Sequence, residues 1–338
     1  MRIGRLIDHP TTAGGGADYG RRALDLVFDA ANAAGGITGE RIELIEVDAV
    51  GSVARVCDGA RRLAADGCVL ILGPAVTHFA IPLVPVLDEL QVPGINWAGS
   101  ALARGAWAFQ LKVGSLPDEA GHLTRLLAAR GFPAVAVARD RGPIGDEYAA
   151  FLRGGLDACG IATTADVVLD DDGAYVDALR RGEPACILYL GLGPRGVALC
   201  AAIRRSGWSV PIIGNVGLGV RPSPELEGVV FTDVVDEANP VLRRFVRRYE
   251  ECHGPAPLLL GLAAGHDLAT AAVEGLRLAP SATPAGARAG LERLRGVPAA
   301  VGGVGTTIGF GPWDRDGYRG PLVVYREIRD GIAVDHRL

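Results

Sequence analysis

The sequence has no apolar run approaching the roughly 20 residues that a membrane-spanning helix needs, and it has no basic excess. Its net charge is -5, whereas a nucleic-acid partner requires a basic face. The nearest thing to a basic cluster, Arg243, Arg244, Arg247 and Arg248, reads as one solvated helix face. The six cysteines (Cys57, Cys68, Cys159, Cys186, Cys200 and Cys252) contain no CxxC pair and fit no zinc spacing. They read as buried thiols acting as small apolar groups, with one disulfide left open if the chain is exported. HExxH, a Walker loop, a hydrolase elbow and a paired-carboxylate constellation are all missing. No enzyme activity, metal or cofactor is therefore expected. The beginning of the chain lacks a signal-peptide pattern, because Arg2 and Arg5 interrupt the apolar residues around them. Two readings follow: the chain stays in the cytoplasm, or an export signal has been removed.

What is present is a long, well-mixed globular composition. At 338 residues, with 49% hydrophobic and 22% charged, the chain exceeds one ordinary core, and two domains are expected. The 48 glycines and 21 prolines fall between apolar runs, where turns belong.

Short apolar runs alternate with amphipathic stretches. Strands are expected at 2–7, 41–47, 69–72 and 94–97, with helices at 19–34, 53–65 and 81–89 between them. The pattern then restarts, with strands at 134–138, 164–169, 186–190 and 211–213 and helices at 147–159, 175–180 and 197–206. Fully apolar strands between helices imply parallel strands covered on both faces, the βαβ pattern of a doubly wound α/β fold. Helices at 240–252, 258–278 and 284–294 follow, then strands at 306–310 and 322–328, the last of the chain. If the late helices pack on the first lobe, the chain crosses between lobes more than once and forms a hinge.

Four stretches carry a family likeness: Ala17-Asp18-Tyr19-Gly20 with Asn32 to Gly39; Ile71 to Thr77 with Val92 to Ile95; Gly114 to Arg130 leading to Ala134–Ala138 and Gly145; and Phe310 to Gly317. In this order and spacing the chain resembles the type I periplasmic binding proteins, specifically the Leu/Ile/Val-binding family of ABC transporter substrate-binding proteins. The resemblance implies two α/β lobes with a central cleft and a three-crossover hinge near Gly114, Asp233 and Phe310. Lobe one would be 1–115 and 238–309, and lobe two 116–237 and 310–338. It also implies a non-enzymatic receptor that closes on a small molecule and delivers it to an ABC transporter permease. Cytoplasmic regulators of the amide-sensor type share this architecture and form the alternative.

Ligands of open α/β sheets sit beyond the carboxyl ends of strands, which selects the loops 10–19, 73–78, 98–100 and 192–195. In the turn 73–78, free N–H groups and the start of a helix favour an anion. Thr77 is read as a ligand contact or as a helix cap, and His78 as a ligand contact or a surface group. By resemblance, Ala98, Gly99 and Ser100 hold the ligand's head group, Trp97 lines the cleft and Tyr19 forms an aromatic wall. Lobe two departs from the family pattern: Ile144 and Leu192 stand where tyrosines are common, and Asn215-Val216 where an acid holds an ammonium. Asp118, Asp233 and Asp236 are candidates to replace that acid, against a plain reading as solvated loop carboxylates. An unpaired buried ammonium costs several kcal/mol. The expected ligand is thus a carboxylate or amide with an apolar or aromatic body. Gly191-Leu192-Gly193-Pro194-Arg195-Gly196 spells GxGxxG, but the acid expected after the next strand is missing. A nucleotide-binding enzyme is therefore only a remote alternative.

Overall fold

The computed structural model describes residues 1–9, 19–169, 175–191, 193–220, 222–256 and 258–336. The chain divides into two compact units, Met1–Val113 with Val235–Leu322, and Gly114–Val234 with Val323–Leu338. It passes between them three times.

The first unit opens with β1 (Arg2–Ile7), α1 (Tyr19–Ala33), β2 (Glu43–Asp48), α2 (Val53–Ala65), β3 (Leu70–Leu72), α3 (Thr77–Leu90), β4 (Gly94–Asn96) and β5 (Ala108–Gln110). Its sheet is parallel throughout, in the order β2-β1-β3-β4-β5, with Ile3 beside both Leu44 and Leu70. α2 shows why these segments become helices. Ser52 accepts the Arg55 N–H at 3.2 Å as N-cap, and Val56, Gly59, Ala60 and Leu63 recur at helical spacing on the buried face. They pack on Leu6, Val47 and Ile71 of the sheet.

The second unit contains α4 (Leu116–Ala129), β6 (Ala134–Asp140), α5 (Pro143–Ala158), β7 (Ala162–Leu169), α6 (Tyr175–Arg180), β8 (Cys186–Leu190), α7 (Pro194–Arg205), β9 (Ile212–Gly214) and β10 (Val230–Asp233). Its strands read as continuous apolar runs because both faces are covered. Val135, Val137, Leu188 and Leu190 meet α4 and α5 through Leu123, Leu127, Leu152 and Leu156. The alternate residues Ala136, Ala138, Ile187 and Tyr189 meet Leu179, Leu199 and Ile203 on the opposite face.

The chain then returns to the first unit as α8 (Pro240–His253), α9 (Leu259–Arg277), α10 (Pro284–Leu291) and an antiparallel trio β11 (Val297–Pro298), β12 (Thr307–Ile308) and β13 (Tyr318–Arg319). It finishes in the second unit with β14 (Val324–Arg329) and β15 (Ile332–Asp335). The second sheet runs β15-β14-β10-β9-β8-β6-β7, with β14 antiparallel to β10 and β15 to β14.

Several elements differ from the sequence expectation. α3 begins at Thr77, not Ile81, and carries Pro82 and Pro85 inside it; proline normally signals a helix start rather than an interior. β15 follows β14, so the strand expected at 322–328 does not end the chain's secondary structure. Residues 310–322, expected in the second lobe, pack in the first. The Phe310 ring meets Phe109 edge-on at 5.1 Å, and the Arg315 guanidinium lies 4.3 Å over that same Phe109 ring. The four arginines of α8 are exposed. All six cysteines are free thiols, and burial pushes Cys186 and Cys200 up to about 12. Among the described residues, no helix is long and apolar enough to cross a membrane.

Candidate functional site

In the first unit the parallel strands β1, β3 and β4 lie side by side, so the turns leaving them gather at one end. The turn after β3 needs its glycine: Gly73 has φ +95°, and a Cβ there would fall 2.8 Å from the Leu6 carbonyl oxygen. The N-cap of α3 is Val76, without a side-chain cap bond. Thr77 therefore does not cap the helix. Its Oγ1 instead accepts the Gly99 N–H at 3.1 Å, while Trp97 N–H donates to the Pro74 carbonyl at 3.1 Å. Two hydrogen bonds thus stitch the turn after β3 to the turn after β4.

The other residues of the second turn face inward. The Gln110 Nε2 of β5 donates to the Ala98 carbonyl at 2.6 Å and to the Ser100 carbonyl at 2.8 Å. Ser100 is fully buried, and its Oγ accepts the Leu102 N–H at 3.3 Å. Thr77 and Gly99 remain partly open to solvent, and His78 is exposed beside Phe79. Trp97 is half-buried; its indole Nε1 is buried without a hydrogen-bond partner among the described residues. Together with Asp8, His9, Leu72, Gly73 and Leu268 it lines a notch of about 20 Å³, room for about one water.

Asp8 was not singled out by sequence reading. It is 3% exposed. Its Oδ2 accepts the N–H groups of Ala75 at 3.0 Å and Val76 at 2.7 Å, and its Oδ1 lies 3.0 Å from His9 Nδ1. The turn expected to offer free N–H groups to an anion already holds one of the protein's own. Burial pushes the Asp8 carboxyl up, but the His9, Val76 and Ala75 bonds outweigh it and leave it below 3.8. A depressed carboxyl stabilises the fold above its unfolded pKa, and this contribution is lost as pH falls through the folded value. The Ala75 and Val76 amide resonances should therefore titrate with a midpoint below 3.8; a midpoint at or above 3.8 would remove Asp8 as their partner.

Tyr19 opens α1 and packs on α9, where a Cβ on Gly261 would meet its ring at 2.5 Å. Its companions are Ala23, Phe245, Tyr249 and Leu262, a helix-packing cluster. Asp236 is half-buried, and its Oδ1 accepts the Ala238 N–H at 2.8 Å just before α8. Asp233 accepts the Val234 N–H at 2.7 Å, and Asp118 accepts the Ser115 hydroxyl at 2.6 Å.

In the second unit, Ile144 packs against the core below α5. Leu192 and most of the loop 10–19 lie outside the described residues. The Val216 N–H donates at 2.9 Å to Glu119, a fully buried carboxylate. The strand ends also bring Asp140 and Tyr189 together, with the phenol donating to the carboxylate at 3.1 Å. Two glycines of the GxGxxG stretch have a packing reason. A Cβ on Gly191 would fall 2.3 Å from the Tyr189 hydroxyl, and one on Gly196 2.6 Å from its ring. They clear space for Tyr189 rather than for a pyrophosphate. Sequence reading missed Glu119 although a signal existed: it sits on the apolar stripe Leu116, Ala120, Leu123, where a charge needs a buried reason.

The chain is thus two doubly wound units threaded three times, with a stitched pair of turns at the strand ends of the first. The family profile described as Periplasmic binding protein matches residues 1–319, and the chain belongs to that family. It is 25% identical over 209 residues to a Leu/Ile/Val-binding protein of Rhizobium johnstonii, covering 60% of this chain and 57% of that protein. The match thus spans little more than half of that relative's length. An ABC transporter substrate-binding protein from Desulfitobacterium hafniense shares the fold with TM-score 0.85 and 19% identity, over 99% of both chains. A structure from the same organism, described as a complex with Leu, gives TM-score 0.84 at 18% identity, again over 99% of both chains.

Proposed function

We propose that the chain is the solute receptor of an ABC transporter, closing by a hinge motion at its three crossings around a small carboxylate or amide with an apolar or aromatic body. The ligand supplies the free-energy difference that favours the closed state. Delivery to a permease then follows from the family relationship, and the relatives described as binding leucine, isoleucine and valine support a ligand of that size. The single observation carrying the reading is the stitched pair of turns, which presents the Thr77 hydroxyl at the strand ends. The departure from branched-chain amino acids rests on the second unit. Ile144 offers no hydroxyl, Val216 no acid, and Asn215 spends its side-chain oxygen on the Gly191 N–H at 3.1 Å.

A thermal-shift screen tests this. At about a hundred times Kd a ligand stabilises the native state by about 2.7 kcal/mol, which for units of this size raises Tm by about 5–10 °C. Aliphatic or aromatic carboxylates or amides should give that shift, and leucine should not. Thr77→Val should weaken the best ligand by about tenfold while leaving the free protein's Tm within about 3 °C. A largest shift with leucine, or unchanged affinity in Thr77→Val, would overturn the assignment.

A further inference from the structure

The carboxylate and amide branches of the proposed ligand class differ by one charge, and the first unit contains a group placed to tell them apart. Asp8 lies at the end of β1 with its side chain 1% exposed. It fills the position that an anionic head group would take at the start of α3, because Ala75 and Val76 already donate to it. A helix start carries about half a positive elementary charge. A full carboxylate charge more than cancels that, so the attraction an incoming anion would feel is gone. Val76 is the N-cap of α3, so this internal anion is bonded to the helix terminus itself. The remaining groups there favour a neutral acceptor. The Thr77 Oγ1 receives the Gly99 N–H, which leaves its own hydrogen to donate. The Ser100 hydroxyl oxygen is spent on Leu102, and the Ala98 carbonyl on Gln110.

We infer that Asp8 is the residue that sets charge preference in the first unit's part of the site, turning away carboxylate head groups and admitting the corresponding amides. The inference rests on the ligand-class reading above and selects between its two branches. An amide carbonyl accepts from the Thr77 hydroxyl as a carboxylate oxygen would, and it brings no charge against Asp8. Its N–H groups are also drawn to a neighbouring negative charge, where a second carboxylate would be repelled.

The variant Asp8→Asn removes the charge and keeps the geometry. Its amide oxygen can accept both the Ala75 and Val76 N–H groups, and its NH₂ can donate to His9 Nδ1 when that ring takes the tautomer with its proton on Nε2, so every hydrogen bond Asp8 makes has a counterpart. Calorimetric titration of the full chain would use matched pairs differing only at the head group: phenylacetate and phenylacetamide, benzoate and benzamide, isovalerate and isovaleramide. The wild type should bind the amide of the preferred pair at least tenfold more tightly than its acid. In Asp8→Asn that ratio should fall below about threefold, chiefly because the acid tightens. A purely structural tether would weaken both members alike and leave the ratio unmoved. Equal or tighter acid binding by the wild type, or an unchanged ratio in the variant, overturns the inference while leaving the ligand class intact. No binding by either member of any pair overturns the ligand class and the inference with it. Asp8→Ser makes the same charge change and serves as the second variant if Asp8→Asn does not fold.

Discussion

Replacing Glu119 with alanine is expected to destabilise the second unit by about 3–5 kcal/mol. The side chain is fully buried and accepts four hydrogen bonds. Ser115 N–H at 2.8 Å and the Tyr148 hydroxyl at 2.7 Å reach Oε1, while Val216 N–H at 2.9 Å and the Thr232 hydroxyl at 2.7 Å reach Oε2. Alanine leaves four buried donors without an acceptor. Glutamine distinguishes their kinds. The hydroxyls of Tyr148 and Thr232 can turn round and accept, but a backbone N–H cannot. Each carboxylate oxygen holds one backbone N–H, so either orientation of the amide opposes one of them. Glu119→Gln should therefore cost about 1–3 kcal/mol. Burial pushes the Glu119 carboxyl above 4.5, against the pull of its four hydrogen bonds. Its contribution to stability accordingly falls as pH rises from 4.5 through the raised folded value, and both variants should lose that slope. Urea unfolding with hydrogen exchange resolved by segment would show protection falling in β8 to β10 but not in β1 to β4. A loss below about 1 kcal/mol in Glu119→Ala would refute the account.

The first unit depends on a second buried acid. Asp267, in the middle of α9, is 0% exposed. Its Oδ1 accepts the Ala300 N–H at 2.7 Å and lies 2.8 Å from His266 Nδ1, and its Oδ2 accepts the Val301 N–H at 2.9 Å and the Tyr318 hydroxyl at 3.0 Å. This one side chain ties α9 to the loop after β11 and to β13. Asp267→Ala should cost about 3–5 kcal/mol and release residues 299–302 to rapid exchange. Tyr318→Phe removes a single donor and should cost only about 1 kcal/mol. If the two variants lose equal stability, the carboxylate is not the anchor.

Much of the fold was legible because its strands are short, apolar and doubly covered. The runs at 2–7, 175–180 and 186–190 coincide with β1, α6 and β8, where period and composition agree. β5 and β10 escaped notice because three or four residues such as Ala108-Phe109-Gln110 carry no period of their own. α3 was shortened because Pro82 and Pro85 imitate a helix start, whereas its terminus at Thr77 is set by tertiary contacts. For the site, the sequence pointed to the turns after β3 and β4 through their glycines and hydroxyls. It could not indicate which polar groups those turns spend on each other. Gln110, Asp8 and Glu119 act across 10 to 113 residues of sequence, and no local pattern reports a partner that far away. The acids did leave one trace, a charge on an apolar stripe, in Glu119 and again in Asp267 between Ala264 and Leu268.

The threading of the chain has a consequence for synthesis. β14 pairs with β10 and β15 with β14, so the second sheet gains two of its strands from residues 324–335, long after β10 has been made. α1 packs against α9, so the first unit cannot close its helical layer until residues 259–277 have been made. Neither half is a self-sufficient stretch of message. The apolar faces of each unit must therefore wait, partly uncovered, for segments made long after its first strands.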